Sequence, residues 1–353
     1  MNPEEMYQNL RTFMDSLPTG FPETESGVEI AILKKLFTQE QAELFMQLTP
    51  TPETVTQIAG RAGMDAAALE PKIEEMAQKG LLFRVRENGR ILYQVFHFLV
   101  GIYEFQLNTI DKELAEMVEE YLPHFGMALV GAGVKTKQLR VAPVTSALDA
   151  ASPVATYNQI RDLVAEQELI SVQNCICRKE QGLLGNPCEH PGETCFSFGK
   201  FAQYYIDNNM GRKVDREETY RILDMAEASG LVLSPSNTRD ISFICCCCSC
   251  CCPTIRYAKF FPKPARSFKT YYQSIIDPEL CTACQDCFER CPMEAIVEGQ
   301  AASEIDTGRC IGCGLCVAAC PEEAISLKPL AEAQAPPEFI EDTFEQIQLE
   351  RQA

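Results

Sequence analysis

A chain of 353 residues with 46% hydrophobic content has room for two or three domains with real cores. A net charge of −19 argues against general nucleic-acid binding, which needs Lys and Arg to neutralise phosphates, and suits a protein that docks on basic partner patches. The 19 cysteines fall into four at 175–195, seven at 245–252 and eight at 281–320, a clustering that excludes a disulfide framework and indicates metal sites.

The start, MNPEEMYQNLRTFMD, is acidic and carries no secretory signal. The longest apolar stretch, 95–103, is interrupted by His97 and Gly101 and falls far short of the roughly 20 residues a membrane span needs. The expectation is therefore a soluble, cytoplasmic chain with no membrane insertion.

Residues 1–48 read as helical, with Leu33, Leu36, Phe37, Leu44 and Phe45 at helical spacing. Pro50 and Pro52 end this region. A sharper unit follows over 53–98: a short helix at 53–59, the turn Gly60-Arg61-Ala62-Gly63, and a second helix to residue 78. Pro71 puts the regular part of that helix near Leu69. Strand-like runs at 81–86 and 91–96 flank Asn88-Gly89, a strong hairpin signal. This order resembles a winged helix-turn-helix domain. Its second helix carries Glu70, Glu74 and Glu75 against Lys72 and Lys79, and residues 51–100 hold six acidic and six basic groups. That balance favours a docking or dimerisation module over a DNA reader, although Arg84, Arg86 and Arg90 sit on the wing.

A further helix is expected at 111–121, then a linking segment. Gly131-Ala132-Gly133 is a lone Gly-x-Gly, weak support for a nucleotide site. Residues 139–144 read as a strand, and Thr156 caps a helix running to about 168. A short strand at 170–173 leads into CICRKEQGLLGNPCEHPGETCFSFG. Cys175, Cys177, Cys188 and Cys195, in a loop bent by glycine and proline, have the look of a metal site, with Arg178 to offset thiolate charge. His190 is more naturally an exposed histidine than a ligand. Asp215 caps a helix that Gly230 stops, and 231–233 form a strand. Next comes ISFICCCCSCCCP. Adjacent residues of an extended chain point to opposite sides, so Cys245, Cys246, Cys247, Cys248, Cys250, Cys251 and Cys252 cannot all serve one metal. Some join the 175–195 thiols and the rest pack as small buried residues. The stretch 256–269, with Arg256, Lys259, Lys263, Arg266 and Lys269, reads as an extended, solvated linker held by Pro262 and Pro264, or else as a strip for an acidic partner.

The most specific stretch is CTACQDCFERCP, then 17 residues, then CIGCGLCVAACP. Each half has the spacing C-x2-C-x2-C-x3-C-P, and a shift of 29 residues lays one on the other. Three thiolates of each half come from a tight loop, and the fourth crosses to the other cluster. One [4Fe-4S] cluster is thus expected on Cys281, Cys284, Cys287 and Cys320, the other on Cys291, Cys310, Cys313 and Cys316. Paired zinc sites share the C-x2-C spacing, but not the eight-cysteine pattern with both prolines. Residues 270–329 resemble the bacterial-type dicluster ferredoxins. Residues 140–329, with CxCR, the 188–195 cysteines, Ser236-Asn237 and the dense cysteine run, resemble ferredoxin-type proteins of anaerobic bacteria. That group has Asn where Cys246 stands, which sets Cys246 apart from the candidate ligands. Beyond 329, Ile340, Phe344 and Ile347 mark a terminal helix.

The resulting expectation is an α+β chain. Residues 1–127 form the winged-helix-like unit, 128–269 a mixed α/β cysteine-rich domain, 270–329 the ferredoxin-like βαβ repeat and 330–353 a tail. The expected cofactors are two [4Fe-4S] clusters and one or two further iron–sulfur clusters, with zinc as the alternative. The further ligands come from Cys175, Cys177, Cys188, Cys195, Cys245, Cys247, Cys248, Cys250, Cys251 and Cys252. The expected function is electron transfer to redox partner proteins. A reductase with a substrate-reactive cluster and a redox-sensing regulator are the alternatives.

Overall fold

The computed structural model describes residues 2–148, 158–331 and 334–353. Helices Pro3–Asp15, Val28–Leu36 and Gln39–Phe45 pack around Leu10, Leu33, Phe37 and Phe45. Thr38 and Gln41 close a capping box on the third, and Thr54 with Gln57 does the same for helix Val55–Ala62. The next helix, Ala66–Gln78, begins ahead of Pro71 rather than near Leu69. The proline forgoes one bond, to the Ala67 carbonyl, and Ala67 is exposed so that water can serve it. Strands Phe83–Glu87 and Arg90–Gln94 form the expected hairpin, with Asn88 and Gly89 both at positive φ.

The hairpin's first two arginines are engaged. Arg84 is buried, pairs with Glu74 and donates to Asn208 at 2.9 Å; Arg86 reaches Asp207 at 2.7 Å. Tyr204 donates to the Ala77 and Leu82 carbonyls at 2.8 Å, which joins this unit to helix Gly199–Asp207.

The helix expected at 111–121 runs on as Lys112–Gly131, so the boundary placed at 127 falls inside it. Pro123 does not break it: the Glu119 carbonyl it frees accepts from the Tyr257 hydroxyl at 3.4 Å. Gly131 closes this helix and Gly133 turns left-handed just beyond. The amides of Lys135 and Thr136 both donate to Glu350 at 2.8 Å, which occupies the donors a nucleotide phosphate would need. Residues 139–142 make isolated bridges, to Ser236, Lys269 and Leu233, rather than a regular strand. Thr156 lies outside the described residues, and the helix expected after it is Ile160–Ala165.

The centre is a five-stranded antiparallel sheet. Its order is Arg212–Val214, Ile170–Asn174, Glu193–Phe198, Phe243–Cys247, Val232–Pro235. Ile244 and Cys246 pack on one face with Phe196, Leu223 and Ala226. Phe243 and Cys245 turn to the other, toward the N-terminal helices, as period-two alternation requires. Arg256 to Lys269 is not an extended linker. It forms helix Pro253–Ala258 and a turn at Pro264–Ser267, and three of its five cations are used internally: Arg256 on Glu119, Lys259 on Glu294 and Lys269 over the Tyr271 ring.

In the C-terminal module, strand Tyr272–Ile276 pairs with Ile325–Pro329, and Ile296–Glu298 with Ser303–Ile305; helices Asp286–Arg290 and Leu315–Ala319 follow the cysteine loops. Helix Ile340–Gln352 then returns to the N-terminal helices, burying Ile340, Phe344 and Ile347 and placing Arg351 on Asp15. Among the described residues, no helix is long and apolar enough to cross a membrane.

Candidate metal centres

In the C-terminal module the duplication extends to the backbone. Ala283 and Gln285 have φ of 55° and 70°; their counterparts 29 residues on, Gly312 and Gly314, have 67° and 75°. These left-handed steps curl each loop so that its cysteines face inward. One cavity is lined by Cys281, Cys284, Cys287 and Cys320, and a second by Cys291, Cys310, Cys313 and Cys316. The Ala295 amide donates to Cys291 Sγ at 3.2 Å and the Ala324 amide to Cys320 Sγ at 3.3 Å, again at matching positions. Ser274 adds its amide to Cys310 Sγ at 3.5 Å and its hydroxyl beside Cys316 Sγ at 3.4 Å. Four soft thiols around each cavity, with amide donors on the sulfurs, fit an iron–sulfur cluster.

The other cysteines divide in two. Cys175 caps helix Ile176–Leu183 and Cys177 lies in its first turn, so the sharp bend expected within Cys-Ile-Cys is a strand-to-helix junction. Cys195 is on a strand, not in a loop, directly opposite Cys245 on the neighbouring strand. Cys247 follows on the same side as Cys245. Thiol contacts run from Cys177 to Cys175, Cys195, Cys245, Cys247 and Cys252 in turn. Hydrogen bonds from Cys177 and Cys195 hold the Cys175 thiol well below its ordinary range, and those from Cys245 and Cys252 do the same for Cys247. Their donors are raised to match. The six are strung out: no three of their sulfurs lie within 4.8 Å of one another.

Cys188, Cys248, Cys250 and Cys251 behave differently, since their sulfurs all lie within 4.8 Å of each other. Cys188 Sγ is 3.9 Å from Cys248 Sγ and 3.4 Å from Cys250 Sγ, and Cys251 Sγ is 3.7 Å from Cys250 Sγ. His190 Nδ1 is 3.3 Å from Cys188 Sγ and 3.9 Å from Cys250 Sγ, so this histidine is part of the site's surroundings rather than idle. Burial opposes ionisation of Cys188, but the His190 amide and the neighbouring thiols pull its pKa down. Burial first, then Cys248 and Cys188, pushes Cys250 up to about 12.

Arg178 stands between the two sets. Its buried guanidinium donates to the Cys246 carbonyl at 3.2 Å and Cys248 Sγ at 3.8 Å, and binds Thr194. Burial alone would lower its pKa; the Cys175 and Cys195 thiolates raise it instead. Cys246 joins neither set and packs in the apolar core beneath the sheet, where burial raises its pKa. Sequence reasoning missed Tyr103 and Glu180, whose hydroxyl and carboxylate meet at 2.6 Å; burial holds the Glu180 pKa at about 7. Glu180 lies one helical turn after Cys177, a spacing that could have drawn notice.

Residues 273–321 match the 4Fe-4S dicluster domain family, and 309–350 match a second family of the same description. No curated protein and no solved structure matches the chain. The C-terminal matches give the protein an iron–sulfur, electron-transfer character.

Proposed function

We propose that this chain is an electron-transfer protein, or the electron-transfer subunit of an oxidoreductase complex in a reducing cytoplasm, with three redox stations in file. Cys281, Cys284, Cys287 and Cys320 hold the outer cluster, Cys291, Cys310, Cys313 and Cys316 the inner one. The six strung-out thiols from Cys177 to Cys252 hold the third. Bound iron–sulfur clusters supply one-electron chemistry over a wide range of potentials.

The observation that carries this reading is one hydrophobic cluster. Cys310 and Cys313 of the inner site pack in it with Cys252, Val144, Val232, Ile255 and Ile311, and Cys247 and Cys291 lean against it. The inner site and the six-thiol set thus share one hydrophobic wall. At the other end, Cys284 is exposed and Cys281 half-buried, so the outer site faces an arriving partner.

A reductase needs an open metal position that substrate can reach. The six thiols offer more donors than a cubane takes, and Cys175 and Cys252 among them are buried, which supports a wire over a catalytic site. The helix–helix–hairpin unit, read as winged-helix-like, serves here as a mount: Arg84 and Arg86 are spent on Glu74 and Asp207.

The test is iron and acid-labile sulfide per chain in anaerobically purified protein, with reductive titration followed by EPR. About twelve irons with three reducible centres are expected. About eight irons would remove the third station. Salt-resistant, redox-dependent binding to DNA in a gel shift would favour the regulator instead.

A further inference from the structure

We propose that Cys188, Cys248, Cys250 and Cys251 form a closed four-thiolate site for a single zinc ion, separate from the electron path. A tetrahedral ion about 2.3 Å from each sulfur sets the sulfurs about 3.8 Å apart. The observed separations of 3.4, 3.7 and 3.9 Å bracket that edge. A cubane has four irons and four sulfides between its thiolates and holds them much further apart. The C-terminal module is the internal standard: its eight cysteines line two cavities and contain no trio that converges within 4.8 Å. Among the described residues, only the 188/248/250/251 set converges in this way.

The chemistry favours zinc. Four thiolates fill a tetrahedron and leave no open position, the signature of a structural zinc site. Zinc with four thiolates carries a net charge of −2, and the neighbouring groups answer it. Arg178 donates to Cys248 Sγ at 3.8 Å, and His190 brings a ring nitrogen to 3.3 Å from Cys188 Sγ and 3.9 Å from Cys250 Sγ. Such outer groups orient ligands and steady the metal.

The ion would tie the loop after helix Ile176–Leu183 to the end of the dense cysteine run. Cys251 is followed directly by Cys252, and Cys248 directly follows Cys247, both of the six-thiol chain. The zinc therefore fixes the backbone on which two of the third station's ligands ride, while taking no electron itself.

The experiment uses the full holoprotein, purified anaerobically from cells supplied with iron and zinc. Zinc, iron and sulfide are measured in wild type, Cys250→Ser and Cys188→Ser, and zinc-edge X-ray absorption is recorded on wild type. Expected are about one zinc per chain, a single sulfur shell near 2.3 Å without a metal neighbour, and at least tenfold zinc loss in Cys250→Ser with iron and sulfide unchanged. The exposed Cys250 makes that variant the gentler one. If neither variant folds, the wild-type zinc count and absorption spectrum decide alone. Loss of iron and sulfide together in Cys250→Ser would overturn the site as a mononuclear one. A single non-cluster iron in place of zinc would overturn the choice of ion, and zinc retained in both variants would overturn the ligand set.

Discussion

The two cysteine loops of the C-terminal module have the same spacing and different surroundings. In the outer loop, Thr282, Ala283, Cys284, Gln285 and Asp286 are exposed. In the inner loop, Ile311, Gly312, Cys313, Gly314 and Leu315 are buried. Both need left-handed backbone at two positions, yet only the inner loop uses glycine for it. A methyl group on Gly312 would lie 2.1 Å from the Tyr272 carbonyl oxygen, and one on Gly314 2.6 Å from Ala147 Cβ. Glycine is thus required where the loop is pressed against the body. Ala283 and Gln285 sit in open surroundings and pay only the conformational cost. On the proposed function the two sites would have different tasks: one to meet partners, the other to hand electrons inward.

The sharpest way to break this comparison is to exchange equivalent cysteines. Cys313→Ser leaves a buried hydroxyl without a partner, costing about 1–3 kcal/mol before any loss of metal. It should remove the inner cluster and lower the melting temperature markedly. Cys284→Ser, 29 residues earlier and exposed, should cost about four irons while the fold persists. Iron analysis and thermal melts of both variants are the measurement. Equal melts would mean that the inner loop is no more structural than the outer.

Gly312→Ala and its mirror, Ala283→Gly, sharpen the same contrast with no ligand touched. The first combines a left-handed alanine, about 1–2 kcal/mol, with a clash against backbone, so a total loss above about 2 kcal/mol is expected. The second relieves left-handed strain in an open loop and should be neutral or stabilising by up to about 1 kcal/mol. Denaturant unfolding of the two variants checks the sign as well as the size.

Much of this was legible from residues alone. The duplicated run, the hairpin at Asn88-Gly89 and the terminal helix through Ile340, Phe344 and Ile347 each rest on local rules, of spacing, turn chemistry and periodicity. The division of the dense cysteine run was not legible. It depends on Cys195 facing Cys245 across two strands and on the 188 loop reaching Cys250, pairings that no local pattern encodes. The basic stretch misled because its partners, Glu119 and Glu294, lie far away in the chain. The glycines of CIGCGLC were visible, but their meaning depends on a carbonyl at Tyr272 that only folding places there.

The smallest effect concerns the C-terminal helix, which straps the end of the ferredoxin-like module to the N-terminal helices. After strand Ile325–Pro329 the chain returns through helix Ile340–Gln352, where Phe344 meets the His97 ring edge-on at 4.3 Å. His97 is buried, its Nε2 has no hydrogen-bond partner, and burial lowers its pKa to about 3. In the unfolded chain the ring titrates near 6.5. Above that pH neither state binds the proton, and the stability is complete. As pH falls from about 6.5 toward 3, only the unfolded state takes it up, so stability drops by up to about 1.4 kcal/mol per unit. Glu104 and Glu180, whose burial raises their pKa values to about 8 and about 7, act in the opposite sense over this range, so the effect of His97 is read as a difference between variants. His97→Leu keeps the apolar contact with Phe344 and should match wild type at pH 7.5 but melt higher than wild type at pH 5.5. If the strap does serve the inner loop, acid should also speed iron release from the inner site in wild type more than in His97→Leu, and leave the outer site's release the same in both. An unchanged pH dependence of melting in His97→Leu would mean that the acid sensitivity arises elsewhere.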